Sequence, residues 1–331
     1  MPGIQDFTYL NWGKETVRGT PVAPTRQMYA DGTGVLDVDP SLSFHEAENR
    51  GVRTRIARAT QRAEDVALKF ATADGVAFDD LILPITQLIG APTYTGAGAD
   101  RTVTWQPLMA AANNPLAYSF DVGDDVQNWR VQYGMLSGFK LAAALDELTS
   151  LECTAFGQKT VKTAKASPAT NSAIKIPGDL WTIKYATTQA GLAGASISTN
   201  HLLGWSLDVT TGLIWRHYMD GTLQGAQHVE TSIGAVLEMT VESTALAVSE
   251  FYDKWLAQTL DFVRLKATGP TLGASNYSCQ IDAPILWSKV EPISSEQDGI
   301  NIWKVTGNLA YDPTSGFGLQ GVLVTSLTAT P

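Results

Sequence analysis

The feature that most constrains the fold of this chain is the alternation of apolar and polar residues within the segment from Val236 to Ser243. A two-residue period places successive side chains on opposite faces of a β-strand. The apolar face is predicted to hold Leu237, Met239 and Val241, and the polar face Glu238, Thr240 and Glu242. We therefore predict a strand with one buried and one solvent-exposed face.

A helical pattern follows this strand. Ser243 or Thr244 is suited to cap a helix, and apolar residues from Val248 to Leu256 then recur at helical spacing with charged residues between them. The apolar segment Phe262–Leu265 is predicted to be the next strand. The middle of the second half is therefore predicted to run strand, helix, strand.

The first half has the same order. Residues 66–70 alternate, apolar residues from Phe78 to Ile89 recur at helical spacing, and a strand-like segment follows from Val103 to Gln106. Pro84 lies inside the helical pattern. Because proline lacks the backbone N–H and clashes with the preceding turn, this helix is predicted to be kinked or to begin late.

Both halves are also predicted to end on strands. The first-half segments are Tyr118–Val122, Gln127–Tyr133, Leu136–Ala142 and Leu148–Phe156, and the second-half segments are Tyr277–Ile281, Ile300–Tyr311 and Val322–Leu327. The fold class is therefore mainly β with flanking helices (α+β). The repeated order favours an internal duplication, and two unrelated β modules are the alternative.

A change in composition separates the two halves. The stretch that begins at Lys159 is rich in Lys, Ala, Thr and Ser and contains Ser167-Pro168 and Pro177-Gly178, which is typical of a linker. We predict a first module over residues 1–160, with an N-terminal arm and a long loop, a linker over residues 161–180, and a second module over residues 181–331.

The long loop lies between the predicted strands Leu36–Phe44 and Asp65–Thr72 and is rich in arginine. Its five arginines, with no acidic residue between them, are Arg50, Arg53, Arg55, Arg58 and Arg62. Arginine makes bidentate contacts with carboxylates, so an arm that docks on an acidic neighbouring subunit is one interpretation. A solvated mobile loop is the second, and nucleic-acid binding is the third.

Charge and cysteine content limit the function classes. The chain has 23 Lys and Arg residues against 33 Asp and Glu residues, a net charge of -10, which argues against binding through DNA phosphates but not against a role beside DNA. Cys153 and Cys279 are too few for a disulfide scaffold. They are predicted to be buried thiols of a reducing compartment, with a single bridge as the alternative. The sequence has no signal-peptide pattern and no membrane-spanning apolar run, so folding in the cytoplasm is predicted.

The chemical motifs of common enzymes are absent from the sequence. It has no phosphate-binding loop, no Gly-x-Ser-x-Gly, no His-Glu-x-x-His and no Cys-x-x-Cys. His217 and Asp220 are interpreted as a polar pair in a loop, and most of the nine tryptophans as core residues. We predict no catalytic residue, no cofactor and no metal site. A structural or interaction protein is favoured over an enzyme.

The N-terminal region contains a sequence motif that is similar to one in a known protein family. It reads Gly13-Lys14-Glu15-Thr16, then Arg18-Gly19-Thr20-Pro21-Val22-Ala23-Pro24-Thr25. This string resembles the opening of tail tube (major tail) proteins of long-tailed, non-contractile bacteriophages. The element order, the long loop after an early strand and the late segment Val305–Asp312 are similar to that family as well.

The resemblance implies two tandem tail-tube-like β-sandwich modules, each with one helix and a long loop. It implies a virion protein, assembled in the host cytoplasm, that polymerises as stacked rings and conducts double-stranded DNA without sequence recognition. The implied partners are other copies of the chain, a tape-measure protein, and tail-tip and terminator proteins, with no membrane. The five arginines of the loop and residues 1–28 are the expected ring-stacking contacts, and Glu238, Thr240 and Glu242 the expected lumen-facing residues.

Most tail tube proteins have one module and form six-membered rings, whereas this chain is predicted to have two. Trimeric rings with pseudo-sixfold symmetry are therefore the expected assembly. One alternative is a single tube module plus a decoration module in true hexameric rings. The other is a β-sandwich adhesin that binds glycans through exposed tryptophans such as Trp205 and Trp215.

Overall fold

β-Strands dominate the computed structural model, which describes residues 9–28, 35–44, 59–72, 74–170, 174–198, 201–297 and 299–331. The strands up to residue 163 are β1 (Tyr9–Lys14), β2 (Arg26–Met28), β3 (Val35–Asp39), β4 (Leu42–Phe44), β5 (Ala59–Gln61), β6 (Asp65–Ala71), β7 (Tyr94–Thr95), β8 (Arg101–Trp105), β9 (Tyr118–Gly123), β10 (Asn128–Ala144), β11 (Ser150–Gly157) and β12 (Lys159–Thr163). The later strands are β13 (Ala169–Thr170), β14 (Trp181–Ala186), β15 (Leu202–Thr210), β16 (Leu213–Arg216), β17 (Gln227–Glu230), β18 (Gly234–Glu242), β19 (Asp261–Leu272), β20 (Ser275–Gln297), β21 (Ile300–Leu309) and β22 (Gln320–Thr325).

The helices are short. They are α1 (Ile82–Ile89), α2 (Gly191–Gly194), α3 (Ala245–Ala247) and α4 (Asp253–Ala257), with a π-helical segment at Val248–Tyr252 between the last two and 3₁₀ turns at Phe78–Leu81 and Gly178–Leu180. The prediction of a mainly β fold is therefore confirmed.

Eight antiparallel strands form what we call the large sheet. Their order is β3, β6, β11, β10, β15, β18, β21, β20. One face is apolar and buried in the core, as the side chains of Leu68, Leu151, Leu207 and Leu237 illustrate. The other face carries mostly polar residues. The large sheet is therefore one layer of a β-sandwich-like fold.

Two of these strands, β10 and β20, are long and continue into the sheets that cover the large sheet. The first part of β10 pairs with β9 and β12, and β1, β2 and β13 extend that sheet. The first part of β20 pairs with β19 and β22, and β14, β8 and β7 extend that sheet. Side chains from these layers and from α1 form one hydrophobic cluster.

Several sequence predictions are confirmed in detail. The alternating segment is β18, in which Leu237, Met239 and Val241 are buried. The Thr244 side chain caps the following helix by accepting a hydrogen bond from the backbone N–H of Ala247. Pro84 is the third residue of α1, after the 3₁₀ turn, so the helix begins late. In the first turn of a helix proline removes no intrahelical hydrogen bond.

Other strand boundaries were wrong. The predicted strands Gln127–Tyr133 and Leu136–Ala142 are the single strand β10, and the predicted strand Tyr277–Ile281 is only the start of β20. In both cases the strand crosses from one sheet to another, so the burial pattern changes along it. The segment 161–180 also contains secondary structure, because β12 pairs with β10 and β13 pairs with β2.

The bend in β10 is held by a buried carboxylate from the N-terminal string. Glu15 is only 4% exposed, and it accepts hydrogen bonds from the Tyr133 N–H at 2.8 Å, from Ser119 Oγ at 2.9 Å and from the Gly19 N–H at 2.7 Å. Tyr133 has a φ of 52°, a strained value for a residue other than glycine. Burial raises the pKa of the Glu15 carboxyl, and the hydrogen bonds oppose that rise.

Both cysteines are buried and free, so the bridge considered as an alternative is not formed. Burial raises the pKa of the Cys279 thiol to about 12, and it also raises the pKa of the Cys153 thiol. Both side chains belong to the hydrophobic cluster of the core. The prediction that they act as small apolar residues is confirmed.

Replacing Glu15 with alanine tests the role of this carboxylate. The substitution leaves the N–H groups of Tyr133 and Gly19 without their acceptor, so we expect a loss of at least about 2 kcal/mol in the free energy of unfolding. Urea denaturation measures the loss. Glu152→Ala, on the exposed face of β11, is the matched control and should change stability by less than about 0.5 kcal/mol. Equal losses in the two variants would contradict the role given to Glu15.

Candidate functional site

The candidate site is the polar face of the large sheet together with the two open edges of that sheet. Glu238 is exposed on this face, and Thr240 and Glu242 are half-buried on it, as the alternation predicted. Acidic residues outnumber basic ones across the face. The acidic members are Asp37, Asp39, Asp65, Glu152, Asp208, Glu238, Glu242 and Glu291, and the basic ones are Lys69, Lys140, Lys289 and Lys304.

The two outermost strands each have a free side. Within the described residues, β3 pairs only with β6, and the part of β20 beyond Ile285 pairs only with β21. The strand pairings of the described residues do not close into a ring. An unpaired strand edge exposes backbone N–H and C=O groups that can pair with another chain. The sheet therefore presents one such edge at each end.

The order of pairing in the first four strands recurs in the last four. The series β3, β6, β11, β10 has the same antiparallel neighbours and the same chain order as the series β15, β18, β21, β20. A hairpin follows the first strand of each series, β4–β5 in one and β16–β17 in the other. Each series then has helical segments after its second strand.

Each series contains a β-bulge at the same place. The two bulges show which residues of the two series correspond. The β10–β11 pairing shifts between Leu136 and Gly138, and the β20–β21 pairing shifts between Trp287 and Lys289. The residue skipped by the shift is a serine in both. Ser137 Oγ donates to the Thr154 carbonyl at 3.2 Å, and Ser288 Oγ donates to the Thr306 carbonyl at 3.1 Å. The two bulges are therefore equivalent residue for residue.

A buried ion pair also occupies the same place in both series, with its charges exchanged. Arg130 on β10 contacts Asp121 on β9 through two hydrogen bonds, at 2.6 and 2.8 Å. Asp282 on β20 contacts Arg264 on β19 in the same bidentate manner, at 2.7 and 2.8 Å. Each pair joins residues that lie directly opposite one another in adjacent strands. The cross-strand pair is kept although the residue types are reversed.

The joint between the two series is a β-ladder inside the chain. The second part of β10 pairs with β15 over seven residue pairs, from Gly138 with Thr210 to Ala144 with Gly204. The strand equivalent to β10 is β20, and the strand equivalent to β15 is β3. These are the two strands that have a free side.

The structure describes only one of the arginines predicted for ring stacking. Arg62 is exposed just after β5, and its backbone N–H donates to the Ser41 carbonyl. Arg50, Arg53, Arg55 and Arg58 lie outside the described residues, as do residues 1–8 of the N-terminal arm. Their role stays a prediction.

The tryptophans named for the adhesin alternative are not free on the surface. Trp205 is buried on the core face of β15, with its ring centroid 4.7 Å from that of Trp181. Trp215 is half-buried against Tyr133 and Phe156. The Trp205 ring therefore offers no open face of the kind that stacks on a sugar.

No group of three or more His, Cys, Asp or Glu side chains that could hold a metal ion occurs among the described residues. His217 contacts Asp65 at 2.9 Å, whereas Asp220 accepts hydrogen bonds from Thr222 in its own loop. Asp124 likewise accepts from the N–H groups of Val126 and Gln127 within a turn. In the part of the chain that is described, no helix is long and apolar enough to cross a membrane.

The chain matches no known protein family model, and no curated protein is significantly similar to it.

Exchanging the charges of one ion pair tests the equivalence of the two series. Arg264→Asp places a second carboxylate against the buried Asp282, so we expect a loss of about 3–5 kcal/mol in the free energy of unfolding. Adding Asp282→Arg recreates the arrangement of the first series and should restore at least about 2 kcal/mol, measured by urea denaturation.

The exposed ion pair of Lys289 and Glu291 provides the control. Lys289→Glu should cost less than about 1 kcal/mol, because exposed pairs contribute little. A double variant at Arg264 and Asp282 that is no more stable than Arg264→Asp would contradict the equivalence.

Proposed function

We propose that this protein is a tail tube subunit of a long-tailed, non-contractile bacteriophage, built from two tandem tail-tube-like modules. Three copies form a ring with pseudo-sixfold symmetry, and stacked rings form a tube that conducts double-stranded DNA. The observation that carries the proposal is the in-chain ladder between β10 and β15, because its equivalent strands β20 and β3 are those with open edges.

The ring follows from repeating this ladder between chains. The β20 edge of one copy pairs with the β3 edge of the next in the antiparallel manner of β10 with β15. Such a head-to-tail contact is heterologous. Repeating it gives a closed ring when a whole number of the rotations between modules adds up to a full turn. Three copies bring about 24 strands into one closed barrel, which removes the two open edges of each large sheet.

The polar face of the large sheet lines the channel in this proposal. Its opposite face is buried against the covering sheets, so only the polar face is free to meet a ligand. Acidic side chains such as Glu238 and Asp208 repel DNA phosphates, and this keeps the passage of DNA independent of its sequence. Tape-measure, tail-tip and terminator proteins are the proposed further partners, and the virion tail is the proposed location.

The repeated register supports this reading over a tube module fused to a decoration module. A decoration module has no reason to share the bulge at Ser137 and Ser288, or the ion pair equivalent to Arg130 and Asp121. Burial of Trp205 removes one support of the glycan-binding alternative.

The mass of the purified assembly tests the ring. Sedimentation velocity at rising protein concentration should show a species of about three times 35.5 kDa before longer polymers form. A species of six copies would keep a ring but contradict the tandem modules. A chain that stays monomeric at every concentration, with or without purified tail-tip complex as initiator, would contradict the proposal.

Charge reversal on the polar face tests the channel. Glu238→Lys places cations at regular intervals along the lumen, so phosphate attraction should slow DNA ejection from assembled particles at least threefold. Fluorescence of released DNA measures the rate. Glu147→Lys, an exposed change in the turn between β10 and β11, is the matched control. Normal ejection by assembled Glu238→Lys particles would place Glu238 outside the channel.

A further inference from the structure

The hairpin β4–β5 carries two apolar side chains that the described part of the chain leaves exposed. Leu42 is 42% exposed and Phe44 is 54% exposed, and both point to the same side of β4 because they are two residues apart. Exposed large apolar side chains grouped in this way indicate a contact surface.

The second hairpin of the chain shows what such a pair of side chains does. Leu213 and Trp215 on β16 pack over the polar face of the first series, in a small cluster with Tyr133, Met135 and Phe156. Met135 lies on that face and is nevertheless completely buried. The hairpin is anchored there by Gln158 Nε2, which donates to the Gly225 carbonyl at 3.0 Å. The hairpin β16–β17, which we call the clasp, therefore extends across the ladder between β10 and β15.

The two hairpins align residue for residue where they leave the large sheet. Ser41 and Gly212 both have positive φ values, of 42° and 74°. The N–H of Arg62 donates to the Ser41 carbonyl at 3.1 Å, and the N–H of Thr231 donates to the Gly212 carbonyl at 2.7 Å. The residue after each positive φ is a leucine that begins a strand. Leu42 therefore corresponds to Leu213, and Phe44 to Trp215.

The residue equivalent to Met135 is Leu286. Met135 comes two residues before the bulge at Ser137, and Leu286 comes two residues before the bulge at Ser288. Met135 lies opposite Phe156, and Leu286 lies opposite Asn308. Unlike Met135, Leu286 is 38% exposed. Val236 lies opposite Asn308 on the other side of β21 and is 37% exposed on the same face. The second series thus has the surface that the clasp covers in the first series, and no hairpin among the described residues lies over it.

We propose that Leu42 and Phe44 of one copy cover Leu286 and Val236 of the next copy, as a clasp across the joint between subunits. The occupant of this patch is thus a second copy of the chain, and the inference rests on the ring proposed above. It gives the base of the arginine-rich loop a lateral role within a ring, in addition to the stacking role predicted for its arginines.

Charge supports the same register. Within the chain, Gly138 pairs with Thr210. The residue equivalent to Gly138 is Lys289, and the residue equivalent to Thr210 is Asp39, so Lys289 is expected to lie opposite Asp39 of the next copy. These two side chains carry opposite charges, so they attract across the joint. The clasp and the ladder therefore place the two copies in one and the same register.

Paired substitutions test the clasp. Leu42→Asp with Phe44→Asp should leave the isolated chain folded, because both side chains are exposed, and should weaken trimer formation at least tenfold in sedimentation velocity. Leu286→Asp should do the same from the other side. Ser43→Asp, on the same strand but the opposite face, is the matched control and should assemble as the unmodified chain does. Circular dichroism verifies the fold of each variant.

Cross-linking tests the contact itself. Cysteines placed by Leu42→Cys and Leu286→Cys should be joined between chains by a short bismaleimide, whereas Ser43→Cys with Leu286→Cys should not. Both native cysteines are buried and do not compete. Rings that form normally in the Asp variants, without the cross-link, would overturn the clasp and leave the ring standing. An unmodified chain that never assembles would overturn both.

Discussion

Two long bent strands, β10 and β20, connect the layers of this molecule. Where each strand bends, it leaves one sheet and enters the large sheet, and this arrangement determines which edges of the large sheet are open. β10 leaves one sheet and enters the large sheet at Tyr133, where Glu15 accepts the backbone N–H. β20 makes the same change at Ile285, which pairs with Asp261 on one side and Leu309 on the other. Because each strand belongs to two layers, the large sheet is tied to the sheets that bury one of its faces. Its other face is covered by the β16–β17 hairpin only in the first series, and each of its two end strands has a side that no described strand pairs with.

Open strand edges are a hazard, because they can pair wrongly with strands of other chains. The two edges differ in a way that limits false pairing. β3 has only five residues, and β20 has Pro292, which lacks a backbone N–H, and Ile293 with a φ of 58° along its free side. A partner must therefore fit a short ladder and a bulge. In our account the ladder supplies backbone hydrogen bonds and the clasp supplies apolar contacts.

Part of this fold is readable from the sequence. The strand around Glu238 was predicted with the correct polar face, because one face is buried and the alternation is regular. The second part of β20 was missed, since bulges after Trp287 and Glu291 interrupt its alternation. The open edges could not be predicted from the sequence pattern. Whether a strand lies at an edge depends on its pairing with strands that are distant in the sequence. In the proposed duplication Arg130 corresponds to Asp282, so an ion pair occurs at the same place in both halves although the residue types are exchanged.

The central claim is that both halves of the chain are equivalent units of one ring. Electron microscopy of assembled rings viewed end-on tests it most directly. The account predicts an open channel surrounded by six similar lobes, with only threefold symmetry once the averaged images resolve the two halves. Six full-length copies around the channel, each with one half on the ring and one half projecting outward, would contradict it.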